Sequence, residues 1–189
     1  MTFLFHFQNL NFLSLIGSTI GGFGIKRPFI CNGANLCYHK KTFIEIGGFN
    51  GNSNISSGDD VFLLEKMNQK YAKKVKFLKA NEAIVETKSE KNWHSFLNQQ
   101  LRWASKSTAY NNSFSKLVGI LIFTMNLILI ILVVLTILKP HNLKYFLILL
   151  IPKIIIDFIL IIKDSNFLNS KKSMRYYLLM SLLHPIFIV

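Results

Sequence analysis

The sequence predicts an α/β region followed by transmembrane α-helices, and three observations carry that expectation. Short apolar pieces, separated by Asn-Gly, Gly-Gly and polar stretches, fill the first 115 residues in the manner of alternating strands and short helices. Residues 117–138 then run 22 positions without a charge. The whole chain of 189 residues is 51% apolar with a positive mean hydropathy, which suits a modest polar region attached to membrane helices.

Charge narrows the function classes. The formal net charge is +13, with 14 basic and 7 acidic residues in positions 1–115, and 8 and 2 in positions 116–189. The basic residues gather on no single helix or tail. Those of the second part lie between apolar runs, where a membrane protein carries its cytoplasmic flanking charge, so nucleic acid is not an expected partner. Cys31 and Cys37 are too few for a disulfide framework or a zinc site and read as small buried apolar residues.

Taken in order, the run Phe3–Ile16 has no basic residue before it and contains His6, Gln8, Asn9 and Asn11. It is a poor signal peptide and short for a span, so a core or interfacial helix is expected. Gly17, Gly21, Gly22 and Gly24 then predict a flexible connector ahead of Pro28. Phe29–Cys31 and Leu36–Tyr38 read as extended pieces around the Asn32-Gly33-Ala34-Asn35 turn. Asn35 either stabilises that turn or contacts a ligand.

His39–Ile46 predicts a short helix stopped by Gly47-Gly48. A polar surface loop, Asn50–Gly58, leads to Asp59-Asp60 and an apolar-spaced helix into Tyr71. Ser57 and Asp60 have capping-box spacing, and a helix N-terminus favours adjacent carboxylates whatever their chemistry. Both a capping role and a catalytic role are open for this pair. Residues 73–79 and 82–87 alternate well enough to be strands or extended connectors.

A helix over 93–110 would place Gln99, Arg102 and Trp103 at i, i+3 and i+4 on one face, with Trp93, Phe96, Leu97, Gln100, Leu101 and Ala104 on a largely different one. The first face would offer an amide, a guanidinium and an indole to a sugar or a phosphate. Residues 117–138 are long enough to cross a ~30 Å hydrocarbon core, and residues 145–162 return across it. Lys153 and Asp157 can neutralise each other within that second span. The basic loop of Lys163, Lys171, Lys172 and Arg175 should face the cytoplasm, which puts residues 1–115 on the same side. A third apolar segment from Tyr176 is too short to cross unaided.

Together, Gly33-Ala34-Asn35-Leu36, the Gly47-Gly48-Phe49 turn, the acidic pair with Leu63 three residues on (the ED-x-x-L pattern) and the Q-x-x-R-W signature at Gln99, Arg102 and Trp103 resemble the second half of a bacterial membrane-bound family 2 glycosyltransferase of the inverting GT-A type. The resemblance covers roughly residues 20–138, and the order of its parts is as specific as their content. It implies that Asp60 is the catalytic base toward an acceptor hydroxyl and that Asp59 orients the acceptor or Asp60. By the same resemblance Arg102 pairs with the leaving nucleotide diphosphate, Trp103 stacks on an acceptor sugar, Gln99 hydrogen-bonds there, and Asn35 lines the site.

The family also has an N-terminal βαβ half that binds the nucleotide sugar and holds a divalent metal with a D-x-D motif. The first 30 residues show neither feature, and Asp59-Asp60 is not D-x-D. The expectation is thus an acceptor-side part over 1–115 and membrane helices over 116–189, a truncated enzyme inactive alone. Its Mg or Mn would be held mainly by the missing half, with no metal site in this chain. The expected partners are a nucleotide-sugar donor, a glycan or lipid acceptor and the inner membrane, which the chain would cross more than once. The alternative is a non-catalytic membrane protein or partner subunit derived from such an enzyme.

Overall fold

The computed structural model describes residues 2–51, 58–107 and 111–189. Among them the α-helices are α1 (Phe3–Gly24), α2 (Lys40–Glu45), α3 (Asp59–Tyr71), α4 (Trp93–Ser107), α5 (Ser113–Leu138), α6 (Leu143–Phe167) and α7 (Tyr177–Ile188). The expected α/β class is overturned, because no strand forms among the described residues. Some pieces predicted as strands do contain extended backbone, as at Leu36 (φ −128°, ψ 123°) and Ile84 (φ −71°, ψ 124°). Extended residues become a sheet only when a neighbouring segment pairs with their N–H and C=O groups. These find no such partner, and Asn81–Ala83 winds into a 3-10 turn instead.

The predicted glycine connector is corrected as well, since Gly17, Gly21, Gly22 and Gly24 all lie inside α1. A glycine costs a helix interior only about 1 kcal/mol, which a long packed helix absorbs. The stop comes at Lys26, in the left-handed region at φ 60°, with Arg27 N–H donating to Gly22 O at 2.8 Å and Lys26 N–H to Phe23 O at 3.1 Å. These are the two bonds of a Schellman motif. Gly22 serves close packing: a Cβ there would meet the Phe29 ring at 2.8 Å.

Helix α2 ends as its sequence predicts. Gly47 sits at φ 78°, Gly48 N–H donates to Phe43 O at 2.9 Å and Gly47 N–H to Ile44 O at 3.0 Å. Residues 52–57 carry most of the predicted polar loop and the predicted Ser57 cap, and both lie outside the described residues. The residue that caps α3 is Gly58, at φ 90°, and Asp59 and Asp60 occupy the first turn, where the helix dipole favours negative charge.

The described chain forms two compact units, one of Met1–Ser14 with Leu117–Val189 and the other of Leu15–Lys116. In the first, the polar residues of α1 point inward. His6 Nδ1 lies 3.0 Å from Ser173 Oγ, Asn9 Nδ2 donates to the same oxygen at 2.8 Å, and the imidazole stacks on Tyr176 at 4.5 Å. Ser113–Leu138 and Pro140–Phe167 are long and apolar enough to cross a membrane, and only 11% of the most apolar window of each is buried. A core helix would bury most of that surface. Lys153 Nζ and Asp157 Oδ2 form the expected pair at 2.8 Å. Helix α7, with 12 residues, rises about 18 Å.

In the second unit α3 buries Val61, Phe62, Leu63, Leu64 and Met67. Lys66 Nζ donates to Gly48 O at 2.8 Å and Asn50 O at 2.6 Å, which ties the Gly47-Gly48 turn to α3. Glu45 of α2 accepts from Tyr71 Oη at 2.7 Å and from Lys70 Nζ at 2.9 Å. The expectation of two buried cysteines holds for neither residue in full: Cys31 is half-buried and Cys37 is exposed.

Candidate functional site

The Asn-Gly sequence at 32–33 makes a 3-10 turn over Gly33–Asn35, with Asn32 Oδ1 accepting from Ala34 N–H at 3.0 Å. That local bond is the turn chemistry expected of an asparagine. It leaves the Gly33 N–H pointing outward, and Asp60 Oδ2 accepts it at 2.7 Å. The other oxygen, Oδ1, accepts from Val61 N–H at 2.9 Å. Two backbone donors therefore fix the carboxylate plane, and each oxygen keeps a second lone pair. Asp59, one residue earlier on the helix, is exposed.

Asn35 closes the same turn, its Nδ2 donating to Ala83 O at 2.7 Å. The structure thus brings Asn35 and Asp60 to one turn, although they are 25 positions apart in the chain. Cys31 is part of this neighbourhood. Burial and then the Asp60 charge push its thiol up to about 12, so it stays protonated through the neutral range.

Helix α4 forms as expected, but its faces are turned. Phe96 is 2% exposed, and the half-buried residues Gln99, Gln100 and Trp103 continue its stripe at i+3, i+4 and i+7. Leu97 and Leu101, expected on the same face as Phe96, are exposed, Leu101 by 67%. Gln99 and Trp103 therefore share the inward stripe with Phe96 rather than the face of Arg102. Gln99 Nε2 donates to Glu90 Oε1 at 3.1 Å. Arg102 is exposed, and its side chain has no hydrogen bond or ion pair among the described residues. Nor does a hydrogen bond join Gln99, Arg102 or Trp103 to Asp59 or Asp60 among these residues.

Two contacts were not announced by the motifs. One is the Gly33 amide on Asp60, for which the Asn-Gly turn was the available signal. The other is Glu65, 8% exposed, whose Oε1 accepts from Asn112 N–H at 3.0 Å and whose Oε2 accepts from Asn111 N–H at 3.2 Å. Nothing local in the sequence marks it. A shallow recess of about 520 Å³ is lined by His39, Lys40, Lys41, Ile44 and Glu45, and no predicted site residue borders it. Among the described residues no three His, Cys, Asp or Glu side chains come together, and both Asp60 oxygens are engaged by N–H groups. By themselves the described residues form no three-ligand cluster for a cation.

No curated protein and no solved structure matches the chain. The family model described as Glycosyl transferase family group 2 matches residues 2–162, a range that takes in the Gly33–Asn35 turn, Asp59 and Asp60, α4 and all of α5, and the chain belongs to that family.

Proposed function

We propose that this chain carries the acceptor-side chemistry of a glycosyltransferase at the cytoplasmic face of the inner membrane, moving a sugar from a nucleotide-sugar donor to a glycan or lipid-linked acceptor. The observation that supports it best is Asp60, a partly exposed carboxylate oriented by two backbone N–H groups beside the Asn35 turn, inside the range of the family match. A base must present a fixed lone pair to the proton that it removes. In this reading Asp60 takes the acceptor hydroxyl proton as that oxygen bonds to the anomeric carbon. The bond from that carbon to the diphosphate oxygen breaks in the same step, and the configuration inverts.

Arg102 receives the charge that collects on the departing diphosphate, for which its fork of donors is suited. Trp103 and Gln99 hold the acceptor sugar, Asp59 orients it, and the Oδ1 of Asn35 lines the site while its amide is tied to Ala83 O. Helices α5 and α6 are the membrane spans, and the basic loop after α6 faces the cytoplasm together with residues 1–115.

The test is Asp60→Asn introduced into the native gene, with host membranes assayed against a panel of labelled nucleotide sugars. Transfer should fall by about 10²-fold or more, the usual worth of a general base, with the protein present at its normal level. Undiminished transfer would sink the reading. A second reading, a non-catalytic family member in which Asp60 only serves the first turn of α3 and clamps the Gly33 turn, draws on the same two N–H contacts. It expects the variant to lose stability while the parent shows no transfer at all.

A further inference from the structure

We propose that Glu65 is a positioning residue, which clamps the start of α5 to the helix that begins with Asp59 and Asp60 and so steadies the Pro28–Gly33 segment that donates to Asp60. This rests on the transferase reading above. Glu65 follows Asp60 by five positions on α3 and is 8% exposed. Its oxygens accept from two successive backbone amides, Asn111 at 3.2 Å and Asn112 at 3.0 Å. Taking a carboxylate out of water is costly unless it is paired or well hydrogen-bonded, and no basic side chain pairs with this one among the described residues. A residue needed only to fill space would have been apolar. A two-oxygen acceptor that meets two N–H groups instead specifies one geometry.

Asn112 carries that geometry onward. Its Oδ1 accepts from Phe114 N–H at 2.9 Å and Ser115 N–H at 3.2 Å, which caps α5, and its Nδ2 donates to Pro28 O at 3.4 Å. Pro28 begins the segment that runs through Cys31 to Gly33, the donor to Asp60. One carboxylate therefore bears, through Asn112 and Pro28, on the segment whose Gly33 N–H donates to Asp60.

The experiment compares Glu65→Gln and Asp60→Asn in the native gene, each as the full chain in host membranes, with transfer rate expressed per folded molecule. Glutamine keeps the size and one acceptor oxygen but faces one N–H with its own NH₂ group. Glu65→Gln should lower kcat about tenfold with the acceptor KM raised, since small misplacements cost rate. It should also speed amide exchange at Asn111 and Asn112 about tenfold. Glu65→Asp, which is shorter, should restore neither. If Glu65→Gln turns over at the wild-type rate while Asp60→Asn is dead, the clamp assignment fails and the transferase reading stands. If Glu65→Gln lowers only the amount of folded protein, leaving kcat and KM per folded molecule unchanged, its role is structural and the assignment again fails. If Asp60→Asn is active, the transferase reading fails first.

Discussion

Gly33 donates its backbone N–H to Asp60 Oδ2 at 2.7 Å, so a turn made by an Asn-Gly sequence sets the attitude of a carboxylate 27 residues away. The glycine has a reason to be there. A Cβ added at Gly33 would stand 3.3 Å from Oδ2, tighter than ordinary van der Waals contact, and 3.4 Å from Asp60 Cβ. The carboxylate would have to turn by a few tenths of an ångström, a small change for folding and a larger one for a positioned base. Gly33→Ala should therefore lower transfer about tenfold while stability stays within about 1 kcal/mol. Parallel rate and thermal-unfolding measurements on one preparation check this, and unchanged transfer would mean that the carboxylate attitude is not limiting.

Asn112 makes a second, separable prediction. Its side chain caps α5 through Phe114 and Ser115, whereas the Glu65 clamp uses its backbone N–H. Asn112→Ala removes the cap and spares the clamp, and should cost about 1 kcal/mol. Asn112→Asp keeps the acceptor oxygen and should recover most of that loss. Chemical denaturation of the three proteins in detergent micelles measures the order, and an alanine variant as stable as the parent would show that water caps the helix as well as Asn112 does.

Local signals were legible, and distant partners were not. Gly47 at the end of α2, the acidic start of α3 and the uncharged run in α5 each act on their own neighbours, so the sequence places them within a few residues. The strand expectation failed because extended residues such as Leu36 and Ile84 need a pairing segment, which local pattern cannot supply. Helix α1 outran its glycines because its stop lies in the Lys26 turn. The motifs singled out Asp60 and Asn35, which the structure brings to one turn, but not Glu65, whose partners lie 46 and 47 positions further on.

The turned faces of α4 give a third prediction. Apolar residues occur at 93, 96, 97 and 101, and spacing alone allows either Phe96 or the Leu97–Leu101 edge to be the packed side. In the structure Phe96 is enclosed, with Trp93 edge-on at 6.2 Å, and Leu97 is 45% exposed. Phe96→Ala should cost about 3–5 kcal/mol by leaving a cavity. Leu97→Ala should cost less than about 1 kcal/mol. Equal losses in a denaturation series would show that both sides of the helix are packed.

His6 supplies the pH dependence. It is fully enclosed, and its pKa lies below the ordinary 6.5, first because burial disfavours the cation and then because the Arg175 guanidinium is near. Arg175 Nη2 stands 3.4 Å from Nε2, which places the ring proton on Nδ1, toward Ser173 Oγ at 3.0 Å. A proton added to Nε2 would face the guanidinium. Below 6.5 the unfolded chain takes up that proton before the folded chain does, so stability is full above 6.5 and falls as pH drops from there toward the lowered folded value. The contact of α1 with the Lys171–Tyr176 turn should therefore loosen between neutral and mildly acidic pH. Amide exchange over Phe3–Ser14 should quicken in that interval, and His6→Gln, which cannot be protonated there, should flatten the dependence. An equally steep profile in the glutamine variant would assign the pH dependence to another group.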